Sequence, residues 1–297
     1  MLAWISVGLG ILLIGFGIRD MFLTVLTSTG RGSISRWVMA ASWTSLSPLV
    51  HRWRRYREVI GPVIFLGIIC AWAALMIVGW ALIYWPFLPD GFLVDFGLDS
   101  DRGGSGNFLT ALYLSMVILA TLGFGDIVPT EEWLRLLAPL EGLIGFGLIT
   151  ASISWFLSID PALSRRRRLA HRIALVREAE DALGEQWDLE TVSGLLDSFA
   201  TQLIELRSDQ LQFPIMYYFR DADPRAELIP SLQYLRDIAG RAQDEFGTEN
   251  HAIHLNQHML QRAIDGYVLT ITGQFLSDTE EDSEAALEAL MRDHMKS

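Results

Sequence analysis

The sequence predicts an all-α membrane protein, and three observations carry that expectation. Hydrophobic residues make up 51% of the 297, with a mean hydropathy of +0.30, which is high for a soluble chain. Three stretches, 2–26, 62–85 and 136–159, hold almost no charge over the length needed to cross a bilayer core. Beyond them the chain reads as helices at 161–183, 189–209, 223–246, 249–276 and 280–295, separated by turn signals at Gly184, Pro214, Pro224, Gly247 and Ser277-Asp278.

The first span, within a segment 1–30, lacks a basic leading region and a small-residue cleavage site, so it reads as a retained helix rather than a signal peptide. Arg19 and Asp20 interrupt it. Ionised groups are costly there unless paired or able to reach the interface, so the expectation is Arg19 reaching headgroups with Asp20 paired to it. A contact from this pair to another helix is the alternative.

Segment 31–60 interleaves Trp37, Trp43 and Trp53 with Arg36, Arg52, Arg54, Arg55 and Arg57, with Pro48 dividing it. Beside two spans, this composition suits a helix lying in the cytoplasmic membrane interface better than a nucleic-acid patch. The second span, 62–85, opens at Pro62 and closes in the aromatic belt Trp80, Tyr84 and Trp85 before Pro86. A glycine-rich stretch at 99–106 reads as a turret. Asn107 can then cap a helix over 108–120, which is apolar but too short to span. Backbone that ends at membrane depth is tolerated only where protein or water surrounds it, so this helix reads as re-entrant.

Charge sets the orientation. Arginines follow the first span and end the third at Arg165–Arg168, whereas the connection between the second and third spans is acidic, placing the N-terminus outside and the C-terminus in the cytoplasm. Residues 1–159 carry nine arginines against ten acids, while 160–297 carry fourteen basic against twenty-five acidic residues. The acidic tail repels nucleic acid and anionic lipid as partners. Cys70, the single cysteine, excludes a disulfide framework and a cysteine-based zinc motif.

The stretch Ala120-Thr121-Leu122-Gly123-Phe124-Gly125-Asp126-Ile127-Val128-Pro129 lies between the short helix and the third span. Glycines alternating with other residues allow successive carbonyls to turn toward one line, where they can replace the water of a dehydrated cation. Residues 111–147 resemble the pore of potassium channels, particularly bacterial two-transmembrane types: Thr121-Leu122-Gly123-Phe124-Gly125-Asp126 is similar to the family's T-V-G-Y-G-D, with Pro129, Trp133 and Gly145 also at family positions.

The resemblance implies a pore domain at 61–160, with outer helix 62–85, pore helix 108–120, filter 121–125 and inner helix 134–159. It implies Thr121, Leu122, Gly123, Phe124 and Gly125 as ion ligands, K+ as the permeant ion with no other cofactor, and four copies in a homotetramer within a bacterial inner membrane. Phe124 lacks the tyrosine hydroxyl that would brace the filter. Asp126 is then to be satisfied by Tyr113, Trp133 or water, and Glu141, too costly to face lipid, is expected behind the filter, hydrogen-bonded or protonated. Gly145 and Pro139 are candidate hinge residues, although the third span's glycines also suit close packing.

The helical tail, 161–297, lacks a dinucleotide-binding fingerprint, and its ligand or protein partner is not legible. His251, His254 and His258 share one helical face as a weak candidate metal site, a solvated or partly buried polar seam being the plainer reading. No nucleophile and base can be paired, so an enzyme is not expected. Two functional classes stand: a potassium-selective channel gated by its inner helix and tail, and a weakly selective cation channel or pore-like signalling scaffold.

Overall fold

The structure, a computed structural model, describes residues 2–27, 32–41, 57–94, 107–184, 187–221, 223–246, 251–275 and 282–296. The turret at 99–106, together with Trp43, Pro48, Trp53 and their arginines, lies outside the described residues. Helices dominate the described residues, and three of those helices are long and apolar enough to cross a membrane. The chain is an all-α membrane protein, and it divides into two compact units.

The first unit holds helix α1 (Leu2–Val25), a short helix α2 (33–41), most of α3 (Arg57–Tyr84), α4 (Phe108–Leu119) and the first half of α5 (Glu132–Leu183). Without a hydrophobic drive between helices in lipid, close approach of small residues supplies the packing. Gly10 and Gly17 provide it here: a Cβ on Gly10 would lie 2.4 Å from the Gly79 carbonyl oxygen, and one on Gly17 would lie 2.4 Å from Met76 Cε. Ser6 Oγ adds a donor to the Leu82 carbonyl at 2.8 Å.

Asp20 departs from the sequence expectation. Its carboxylate is buried and accepts from Trp72 Nε1 at 2.9 Å, Ile34 N–H at 2.7 Å and Ser35 N–H at 3.2 Å, while Arg19 is exposed. The reason is helical geometry, since neighbours in sequence project about 100° apart and do not face one another.

A two-stranded ribbon joins two segments of the first unit. Strand β1 (Phe92–Val94) pairs antiparallel with β2 (Ile127–Pro129) in the register Phe92 to Pro129, Leu93 to Val128 and Val94 to Ile127. Thr130 N–H extends it to the Gly91 carbonyl at 2.9 Å. The segment after the outer helix is thereby tied to the residues that follow the glycine motif.

Helix α5 runs without a break for 52 residues, through Pro139, Gly145 and Pro161. The expected division between an inner helix ending at 159 and a tail helix starting at 161 is absent. An interior proline costs about 3 kcal/mol, but Ile159, Ala162 and Leu163 around it are all buried, and that packing outweighs the lost hydrogen bond. Helix α3 likewise starts at Arg57, five residues before the expected start at 62, with Pro62 inside it.

The second unit is a bundle of the second half of α5 with α6 (Leu189–Gln212), α7 (Leu228–Phe246), α8 (His251–Phe275) and α9 (Ser283–Lys296). Leu196, Phe199, Leu203 and Leu206 form the buried stripe of α6, and Leu260, Ile264, Val268 and Ile271 that of α8. Ile215, Leu228, Leu232, Leu235, Ile238, Tyr267 and Ile271 are buried in this unit, whereas Ile204, Leu211 and Leu269 remain exposed. The arginine run serves this unit's own packing. Arg165 grips Asp209 through two bonds at 2.7 and 2.8 Å, Arg166 donates to the Met216 and Phe219 carbonyls at 2.6 and 2.5 Å, and Arg167 pairs with Asp221 at 2.5 Å.

Candidate pore loop and its supports

Helix α4 is twelve residues long and starts where Asn107 Oδ1 accepts the Thr110 N–H at 2.9 Å. That bond satisfies one of the donors every helix N-terminus leaves unpaired. Ala111, Leu114, Ser115, Val117 and Leu119 bury one side of it. At its other end Thr121 N–H donates to the Ile118 carbonyl and Leu122 N–H to the Val117 carbonyl, both at 2.9 Å, so the chain leaves the helix in a tight turn.

The residues that follow alternate in backbone hand. Thr121 has φ +57°, Gly123 φ +57° and Gly125 φ +80°, and among the described residues Thr121 is the sole non-glycine with positive φ. For a β-branched residue this conformation is strained, and such strain persists only where the surroundings over-determine it. Regular alternation of hand turns successive carbonyls toward the same side instead of to opposite sides, the arrangement a carbonyl-lined ion path requires. The side chains between them point away from the chain's own core: Leu122 is 59% exposed and Phe124 65%.

Two carboxylates near this loop accept hydroxyl donors from α3 and α4. Asp126, the residue after Gly125, accepts from Tyr113 Oη at 2.6 Å. Trp133 does not bond to Asp126; its ring packs edge-on against Phe87 at 4.7 Å. Glu141 of α5 is fully buried and accepts from two hydroxyls, Ser115 Oγ at 2.6 Å and Tyr84 Oη at 2.8 Å. One carboxylate thus joins α3, α4 and α5.

Sequence reasoning placed Glu141 among protein but missed both partners. Tyr84 read as part of an aromatic belt, and Ser115, a lone hydroxyl on the buried side of an apolar helix, was the available signal.

Gly145 sits where α5 crosses the end of α4. A Cβ there would fall 2.0 Å from the Leu119 carbonyl oxygen, so the position requires glycine for close approach, whatever it does in motion. No break in the helix accompanies it or Pro139.

His251, His254 and His258 lie on the exposed side of α8, and His254 Nε2 is 3.4 Å from Gln243 Nε2. Among the described residues no group of three His, Cys, Asp or Glu side chains converges to hold a metal ion. Their spacing put them on one face, and that face is solvated.

Residues 68–159 match a protein family described as "Ion channel", a span that includes α4, the alternating loop, Glu141 and Gly145. This segment is an ion-channel domain. Among curated proteins the chain is similar to an "Uncharacterized membrane protein YdjJ" of Bacillus subtilis (strain 168), 23% identical over 231 residues, which cover 76% of this chain and 66% of that protein. The likeness therefore reaches well past the ion-channel domain. No solved structure matches the chain.

Proposed function

We propose that the chain is one subunit of a potassium-selective channel in which four copies surround a single path, each contributing the carbonyls of Thr121, Leu122, Gly123, Phe124 and Gly125. The observation that carries this reading is the alternation of positive φ at Thr121, Gly123 and Gly125 directly after a capped, re-entrant-length helix. One such loop cannot enclose an ion, and closed cyclic symmetry completes the ring. The exposed Leu122 and Phe124 and the exposed stripe Leu136, Leu140, Leu143 and Phe146 on α5 supply the apolar surface that neighbouring copies would cover.

In this reading Asp126 and Glu141 hold the loop from either end, conduction is passive, and the inner helix gates it. The arginine distribution favours an outside N-terminus and a cytoplasmic helical unit.

Purified protein in liposomes with opposed K+ and Na+ gradients tests the reading. The current should reverse near the potassium equilibrium potential, and intact mass in mild detergent should correspond to four chains. A reversal midway between the two equilibrium potentials would favour a weakly selective cation channel, the reading that Phe124 without its hydroxyl supports. A monomeric or dimeric particle would sink the pore.

A further inference from the structure

Asp20 is 0% exposed within a membrane-spanning helix, yet the channel reading gives it no task. Its four donors come from two other elements. The N–H groups of Ile34 and Ser35 and the hydroxyl of Ser33 belong to the first turn of α2, and the indole of Trp72 belongs to α3. Thr24 Oγ1 and Ser35 Oγ add a second tie at 2.8 Å. The fit leaves no slack: a Cβ on Gly32 would fall 2.0 Å from Thr24 Oγ1 and 2.3 Å from Ser35 Oγ.

This clamp fixes the depth of α2. Asp20 lies five residues before the end of α1, or about 7.5 Å at the usual helical rise, so the start of α2 is held beside the end of a membrane span. Arg19, exposed at the same level, suits that edge. Helix α2 has a buried side at Ser35, Val38 and Met39 and an open side at Arg36 and Trp37, with Trp37 72% exposed. An indole beside an arginine, on a short helix at the rim of the apolar layer, fits the boundary between acyl chains and headgroups.

The other end of the clamp touches the inner helix. The Trp72 ring lies 5.6 Å from that of Trp155 on α5, and Trp155 also packs on Phe65 at 4.9 Å. The Trp155 indole N–H is buried and finds no acceptor among the described residues. Buried donors are ordinarily paired, which sets this indole apart. Ile153, two residues earlier and 56% exposed, projects from the opposite side of α5, because two residues turn a helix by about 200°. Trp155 and Ile153 thus stand on opposite sides of one continuous helix.

We infer that α2 is a bilayer-contact element whose position is passed to the inner helix through Asp20, Trp72 and Trp155, so that lipid packing at the membrane edge biases ion flux. The inference rests on the channel reading, since flux is what it alters.

The test uses the purified full chain in phosphatidylcholine vesicles prepared with and without lysophosphatidylcholine, which loosens interfacial packing. Wild-type K+ flux should change by on the order of threefold between the two preparations. Trp72→Phe, which keeps a ring but removes the donor, and Trp37→Ala should each lose more than half of that change while keeping the K+/Na+ ratio of the wild type. Asp20→Asn should do the same, and the Asp20→Asn/Trp72→Phe pair should lose no more than the stronger single variant. If Asp20→Asn does not assemble, Trp72→Phe and Trp37→Ala carry the test. Variants that respond as the wild type does, or losses that add, would overturn the inference while leaving the channel intact, as would a conducting wild type indifferent to the lipid. A wild type that passes no cation overturns both.

Discussion

Glu141 is held by two hydroxyls, and each removes part of the cost of keeping a carboxylate away from water. Replacing Ser115 with alanine leaves Oε1 without its donor, which should cost about 1–3 kcal/mol. We expect a lower thermal midpoint for the detergent-solubilised protein, with Tyr84→Phe acting in the same direction through Oε2; an unchanged midpoint in both would remove Glu141 from the supports of the loop.

Asp20 shows why such residues are hard to read in advance. The sequence could say that a carboxylate in a span needs a partner, but its neighbour Arg19 was the one partner residue it could name, and the donors lie 13, 14, 15 and 52 positions away. The backbone hand at Gly123 and Gly125 was legible because glycine carries that freedom itself. Thr121 in the same hand was not, since nothing in a threonine announces positive φ.

Among the elements, the local signals translated well and the tertiary ones did not. The Asn107 cap and the length of α4 follow from residues within one turn of each other. Asp188 does the same for α6, and it makes a pH test possible. Hydrogen bonds from Thr191, first from its hydroxyl and then from its backbone N–H, hold the Asp188 carboxyl below its usual value.

A carboxyl whose folded-state value is depressed contributes stability above the unfolded value, near 3.9, and that contribution is lost as pH falls through the lower folded value. The Asp188→Ala variant should therefore unfold with a flatter acid limb below about pH 4 than the wild type, read by helical circular dichroism against denaturant, with the two curves parallel above it. Strands β1 and β2 escaped the sequence because three residues each are too few for an alternating pattern to register. The unbroken passage of α5 through Pro161 escaped because the burial of Ile159 and Leu163 is a property of the packed bundle, not of the proline.

At the scale of the molecule, the family match covers the ion-channel domain at 68–159 and stops where the acidic helical bundle takes over. The arginine run of α5, which the sequence offered as a marker of membrane orientation, is spent on Asp209, Asp221 and two backbone carbonyls within that bundle. Each of these arginines holds its partner from a set azimuth on α5.

Along an unbroken helix each residue is turned about 100° from the one before it. One alanine inserted between Leu157 and Ser158 advances everything beyond it by about 100°, whereas seven inserted alanines return within about 20° of the original phase at the cost of length. Flux through reconstituted protein should fall with one added residue and recover with seven, while the bundle, whose arginine contacts all lie on one side of the insertion, keeps its melting temperature. Recovery at seven would mark α5 as a shaft that carries rotation, and loss in both would mark it as a rod that carries only length.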